Sequence, residues 1–421
     1  MRVRTLIVGG GVMGTAIAAA VARGGDPLEE PVLLLERRAL GAGSSGRSGA
    51  ILRQFYSDRP LIGMARDSLR SYASFEFSTG RAIGFTRCGV LTLASPRSKA
   101  AFELLLRNVE SMRDCGVEVE LVDSDRLREL VPGIEVASDT RAAWEPKSGF
   151  VDPQRTLEAF AATARSLGAT VRCGVEVTGL QVRAGRVTSV ETSDGPVDAQ
   201  RVVVAAGPWT RALLARAGIE LPLRAIRPEQ HFVAMPPARD VHALGGLSGA
   251  PDADFDARFA RAGEPAPAHP VLLDLEHGYY TRCEPRLERT RVGALDYARD
   301  ATLADPDALD ERVSAEFSRW SREVLERRLP VYRGEPDRGA QAAWYTLTPD
   351  AQALIGRVPG LDNVYVVAGF SGHGFKLAPS VGEGVAQMLA GAPIGAFEPE
   401  VFAPERFASR GGAVWSGAFG L

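Results

Sequence analysis

Two glycine-rich turns, one near each end of the chain, carry residues with the spacing to do chemistry. In the first, Gly9-x-Gly11-x-x-Gly14 follows an apolar run over residues 5–8 and opens an alanine-rich stretch over 13–21. At this spacing the first glycine makes a tight turn, the second admits a pyrophosphate and the third lets helix and strand pack closely. A second apolar run over 31–35 ends on Glu36, whose carboxylate is placed to accept hydrogen bonds from ribose hydroxyls; residues 24–31 lengthen the connection to it. In the other turn, Val366-Val367-Ala368-Gly369-Phe370-Ser371-Gly372-His373-Gly374-Phe375-Lys376 runs from a strand into glycines, and a helical pattern follows over 380–389. Backbone N–H groups at Gly372, Gly374 and Phe375 can approach an anion closely, and the next helix adds its positive end. Together the two turns predict one long dinucleotide gripped from both sides, with Lys376 beside it.

The elements that must hold these turns are readable from periodicity. Strand, helix and strand over 5–35 make a βαβ unit, so the sheet core is parallel. Helical spacing covers 61–77 and 98–115, with a strand over 90–93 between them. Asp152-Pro153 supplies an N-cap and a first-turn proline for another helix. Short strands follow over 171–182, 186–192 and 202–205, then 271–275 and 278–282, and a helix is expected over 309–325. Residues 236–270 are rich in Ala, Pro, Gly and Asp and read as a long loop.

Composition narrows the function. The chain has 421 residues, 45% hydrophobic and 24% charged, which is ordinary for a globular protein of about two domains. A net charge of −3 without a basic patch argues against nucleic acid as partner. Cys88, Cys115, Cys173 and Cys283 have no metal-binding spacing and read as reduced, buried thiols; no metal site is expected. Arg2 and Arg4 before an apolar run ending in Ala18-Ala19-Ala20 imitate a secretion signal, but Gly9, Gly10, Gly11 and Gly14 interrupt it. No stretch reaches the length of a membrane span, so a cytoplasmic location is expected.

Further segments could line a cofactor. Gly41-Ala42-Gly43-Ser44-Ser45-Gly46-Arg47-Ser48-Gly49 places a polar, glycine-rich loop directly after Glu36, where Ser44 and Ser45 could donate to phosphate and Arg37 could cover the adenine. Val202-Val203-Val204-Ala205-Ala206-Gly207-Pro208-Trp209 is an apolar strand whose end lets the backbone pass beside a cofactor. With Gly149-Phe150-Val151-Asp152-Pro153 and the stretch from Tyr345 to Lys376, these motifs resemble the D-amino acid oxidase family of FAD-dependent amine oxidoreductases, in its sarcosine oxidase and glycine oxidase branch.

The resemblance covers nearly the whole chain. It implies an α/β fold: a two-dinucleotide-binding, Rossmann-like FAD domain with a parallel sheet, plus an α+β substrate domain on an antiparallel sheet. The FAD domain would comprise 1–80, 145–220 and 335–400, the substrate domain 81–144 and 221–334, and a tail 401–421. By resemblance, Val177 offers its backbone to adenine, Gly207 and Trp209 flank the cofactor, and Arg53 and Lys376 hold a substrate carboxylate. Tyr345 matches an active-site tyrosine, His373 a flavin-side histidine and, loosely, Arg291 an oxygen-activating lysine. Monomeric sarcosine oxidases carry a flavin-linking cysteine where this chain has Ala343; dimethylglycine-dehydrogenase-like relatives carry a histidine where it has Arg47. Non-covalent FAD is therefore expected. The implied reaction is oxidation of a small secondary amino acid by hydride transfer to flavin N5, imine hydrolysis and reoxidation by O2, in a monomer or homodimer. The length of the 236–270 loop suggests either a substrate bulkier than sarcosine or a surface insertion. The rival readings are a dehydrogenase subunit passing electrons to a partner and a tRNA-modifying flavoprotein.

Overall fold

The structure is a computed structural model that describes residues 1–26, 28–236 and 266–407. The expected loop over 236–270, its two ends excepted, lies outside the described residues, as does most of the tail. A six-stranded sheet runs in the order Leu354–Arg357, Val364–Ala368, Asp198–Val204, Arg2–Val8, Val32–Glu36 and Thr170–Cys173. Its pairings are parallel except at the Leu354–Arg357 edge. The central strands read as continuous apolar runs because both faces are covered. On one face Ile7, Leu34, Val203 and Val367 pack against helices Val12–Gly24, Arg59–Thr79, Pro153–Ser166 and Ala378–Ala390. On the other, Leu6, Leu33, Val202 and Val366 meet the hairpin Val177–Arg183/Arg186–Thr192 and helix Thr210–Ala215.

A second, eight-stranded sheet is antiparallel apart from the pair Val271–Asp274 with Val90–Ala94. Its order is Asp337–Ala342, Glu229–Ala234, Arg289–Ala294, Tyr279–Glu284, Val271–Asp274, Val90–Ala94, Arg141–Glu145 and Glu120–Val122. Alternation sorts its side chains: Leu91, Leu272 and Tyr279 pack under helix Ala315–Arg328, while Val90, Leu273 and Tyr280 face the opposite way. Strand Tyr345–Leu347 belongs to a separate three-stranded sheet with Arg224–Arg227 and Ala301–Leu303. No helix of the described residues is long and apolar enough to cross a membrane.

Local chemistry explains the element ends. The Asp152 side chain accepts from the Arg155 N–H at 2.9 Å, capping the helix as its sequence predicts. The helix expected over 309–325 instead spans Ala315–Arg328. Ser314 caps it by accepting from the Phe317 N–H, and Glu229 takes both the Ser314 N–H and its hydroxyl, holding the preceding residues out of the helix. The cysteines need a second correction: Cys88 and Cys283 are buried free thiols, but Cys115 is half-buried at a helix end and Cys173 is exposed on a sheet-edge strand.

Candidate active site

Both glycine turns open into one cavity of about 410 Å³. At its first end, Gly9 sits at φ +113° with a hypothetical Cβ 2.4 Å from the Ala205 carbonyl oxygen, and a Cβ on Gly14 would lie 1.9 Å from the Gly9 oxygen. Neither position tolerates a side chain, so strand and helix meet as the fingerprint requires. Glu36 accepts from the Gly10 N–H at 2.7 Å and the Arg38 N–H at 2.8 Å, which fixes its carboxylate on the cavity wall. Ser45 Oγ accepts from the Val12 N–H at 3.0 Å, at the positive end of helix Val12–Gly24, and Ser44 lines the cavity beside it. Val177, Gly207, Gly372, Gly374 and Phe375 complete the walls, so the cavity runs from the Glu36 carboxylate to the C-terminal turn.

A segment from the distant part of the chain closes the Glu36 end. Arg37 stacks on Trp209 at 4.3 Å and pairs with Asp307, which also accepts from Trp209 Nε1 at 3.1 Å and from Arg38 at 3.2 Å. Arg47 lies 4.9 Å over the Trp344 ring, donates to the Ala342 carbonyl at 2.8 Å and pairs with Glu311. Ala343 is buried and lines the same cavity. An elongated space with two glycine cradles, a ribose acceptor and N–H groups at a helix start fits a dinucleotide such as FAD.

A second, smaller cavity of about 50 Å³ adjoins the first; Ser48, Tyr345, Gly372 and Phe375 line both. Arg53 and Lys376 line it together with Ile51, Leu273, Tyr280 and Leu295. Arg53 is placed there by the short ladder of Ile51–Leu52 with Gly149–Phe150. A Cβ on Gly149 would fall 2.0 Å from the Thr86 oxygen, so that close approach needs glycine. Lys376 sits in the single turn Phe375–Leu377 before helix Ala378–Ala390. The turn is braced from helix Arg59–Thr79, where Tyr72 donates to the Phe375 carbonyl at 2.7 Å and Ser68 bonds Ser380. Ser371, at φ +49°, is a non-glycine residue in the left-handed region, and strain of this kind gathers at functional turns.

The electrostatics of this corner are unusual for a protein interior. Arg53 and Lys376 are both buried, at 4.3 and 6.0 Å from the Tyr56 ring centre. Burial, and then Arg53, push the Lys376 ammonium well below its usual range, while Glu145 opposes them. Burial raises Tyr56 to about 12 against the pull of Arg53. Tyr345 lies well above its ordinary value, chiefly through burial with Tyr280, Asp300 and Tyr297 adding to it.

Two of the expected catalytic residues line neither cavity. His373 is buried with its Nε2 3.1 Å from the Ala351 carbonyl and its ring edge-on to Tyr56. Burial, Lys376 and Arg53 hold it down at about 3, so it stays neutral and donates to that carbonyl. Arg291 lies behind Gly49, bound to Glu284 at 2.7 Å, to the Arg47 carbonyl at 2.7 Å and to Gln230. Its charge is answered by Glu284, which three arginines hold at about 2 although burial alone would raise it. Sequence reading missed Tyr56, Glu145, Tyr280 and Asp307. Tyr56 follows Arg53 closely enough to be found, but Glu145 ends an apolar strand and Asp307 sits in a turn, with nothing local to mark either.

Comparison with known proteins agrees with this geometry. The family model described as "DAO: FAD dependent oxidoreductase" matches residues 4–388. A 4-methylaminobutanoate oxidase (formaldehyde-forming) from Paenarthrobacter nicotinovorans is 29% identical over 93% of the chain, which spans only 44% of that protein. Monomeric sarcosine oxidase from Bacillus sp. (strain NS-129) is 28% identical, with 91% of this chain and 92% of that one covered. The solved L-proline dehydrogenase from P. horikoshii superposes with a TM-score of 0.81 at 25% identity, over 97% of this chain and 98% of the other. Glycine oxidase from Geobacillus kaustophilus, at 22% identity and a TM-score of 0.77 over 96% and 99%, shares the fold.

Proposed function

The chain belongs to the DAO family of FAD-dependent oxidoreductases, in its sarcosine oxidase and glycine oxidase branch, and from that premise we propose that it oxidises a C–N bond of a small secondary amino acid. The observation that carries this reading is the pair of buried cations, Arg53 and Lys376, in a small cavity that shares its wall with the end of the dinucleotide cleft. A guanidinium and an ammonium there hold a carboxylate at fixed orientation, which turns the carbon between carboxylate and amine toward the cleft. Bound FAD supplies the hydride acceptor. Leu273, Leu295 and Ile51 give the cavity an apolar lining, which favours a short aliphatic substituent over a second charged group and excludes water from the reacting carbon. The small volume also favours a compact substrate over the bulkier one that the 236–270 loop suggests. Arg53→Ala should raise the amino acid concentration needed for half-reduction of the flavin at least about tenfold, the scale of a lost charge-assisted pair. An unchanged titration removes Arg53 from the carboxylate site.

Ala343 lines the cleft where a thiol would be needed, and Arg47 is held by Ala342 and Glu311, which supports FAD bound without a covalent link. Acid precipitation should then leave the flavin in the supernatant; a yellow pellet contradicts this. O2 is the proposed terminal electron acceptor. A second reading, a dehydrogenase handing electrons to a partner protein, draws support from Arg291, whose pairing with Glu284 leaves it unsuited to activating oxygen. Peroxide formed in proportion to amino acid consumed by the purified chain selects the oxidase; flavin that stays reduced in air selects the dehydrogenase.

A further inference from the structure

Beneath the two cations lies a carboxylate that no family motif marks. Glu145 is the last residue of strand Arg141–Glu145 and is 1% exposed. Its Oε2 is held by three donors: the Gln54 N–H at 2.7 Å, Ser148 Oγ at 2.7 Å and Gln54 Nε2 at 3.3 Å. Its Oε1, equally buried, has no hydrogen-bond partner among the described residues. Burial raises the Glu145 carboxyl above its usual range, while Ser148, Gln54 and Arg53 favour the anion. The Gln54 amide belongs to the residue next to Arg53, so the grip on Oε2 also fixes the backbone from which the guanidinium extends.

We infer that Glu145 is the positioning residue of the carboxylate site: it anchors the Arg53 segment and supplies the negative charge against which Arg53 and Lys376 stand as a cation pair until a substrate carboxylate arrives. This rests on the proposed role of Arg53 and Lys376. The groups around Lys376 are Arg53 and Tyr56 from one segment, Glu145 from the sheet, and His373 from its own turn. Tyr280 and Tyr345 line the same small cavity, and Tyr72 reaches its turn from helix Arg59–Thr79. Of these, Arg53 disfavours the ammonium and Glu145 favours it. His373 is neutral through the working range, and the tyrosines keep their protons. A carboxylate ligand needs the ammonium, so its affinity falls as pH rises through the titration of Lys376. Without the Glu145 charge that fall occurs at lower pH.

The test uses the flavin-loaded enzyme and propanoate, a carboxylate that cannot be oxidised at a C–N bond, followed by the visible flavin spectrum from about pH 6 to about pH 9. Glu145→Gln keeps an acceptor for Gln54 and Ser148 but loses the charge. Its propanoate affinity should drop between those limits roughly tenfold more than that of the unaltered enzyme, as expected for removing one nearby opposite charge. Propanamide, which needs no ammonium, should show no such difference. A Glu145→Gln profile that superposes on the original overturns the inference, because a purely structural role changes flavin content without moving a pH profile. If Glu145→Gln fails to hold flavin, Glu145→Asp retains the charge and must keep the original profile; a displaced one overturns the inference. Failure of propanoate to bind the unaltered enzyme at any pH instead removes the carboxylate site itself.

Discussion

Arg282, Arg289 and Arg291 crowd one buried carboxylate. Glu284 pairs with them at 3.3, 2.7 and 2.7 Å, and Arg282 and Arg289 also lie over the rings of Phe150 and Phe232. This cluster stands behind the loop carrying Arg47 and Gly49, so it supports the wall of the cofactor cleft without lining it. Because Glu284 is held at about 2, below its unfolded value, its stabilising effect is present above the ordinary carboxylate range and fades as pH falls toward 2. Glu284→Gln leaves cations buried without a counter-charge and should cost about 3–5 kcal/mol near neutral pH, visible as a lower unfolding midpoint. A midpoint within error of the original contradicts this reading. The same cluster ties Arg291 to Glu284, Gln230 and the Arg47 carbonyl, away from both cavities.

Among the elements, the turn Pro306–Ala308 does what no strand of the cleft does, crossing from the second half of the chain to close the Glu36 end. Its Asp307 collects Arg37, Arg38 and Trp209 through hydrogen bonds that hold the two sides of the opening together. Asp307→Ala should speed flavin dissociation roughly fivefold, the scale of one lost hydrogen bond of about 1 kcal/mol. A dissociation rate unchanged within twofold would show that the turn does not hold the cleft shut. Elements of this kind mark the limit of sequence reading. The strands and helices that carry the glycine turns were legible because burial on two faces leaves continuous apolar runs, and because Asp152-Pro153 advertises a helix start. The start of helix Ala315–Arg328 was not: it depends on Glu229, 85 residues away, engaging Ser314. Arg53 and Lys376, which line the small cavity, were singled out from motif alone. Glu145 and Asp307 were hidden because each acts across a long sequence separation.

For the whole molecule, a doubly covered parallel sheet and a mainly antiparallel sheet are joined so that one long cleft and one small charged cavity share a wall. The first sheet brings the two glycine turns together from opposite ends of the chain, because strands Arg2–Val8 and Val364–Ala368 both pair with Asp198–Val204. The second sheet brings Leu273 and Tyr280 to the cavity that the cations line. On the proposed function, this layout suits a compact amino acid held by its carboxylate. Anaerobic titration of the flavin-loaded protein with N-methylglycine, L-proline, glycine and D-amino acids, beside the matching amines without a carboxylate, tests that reading most directly. The account predicts that at least one secondary amino acid bleaches the flavin absorption while its decarboxylated counterpart leaves it unchanged at equal concentration. Bleaching by the amines alone, with every carboxylate-bearing compound inert, would contradict it.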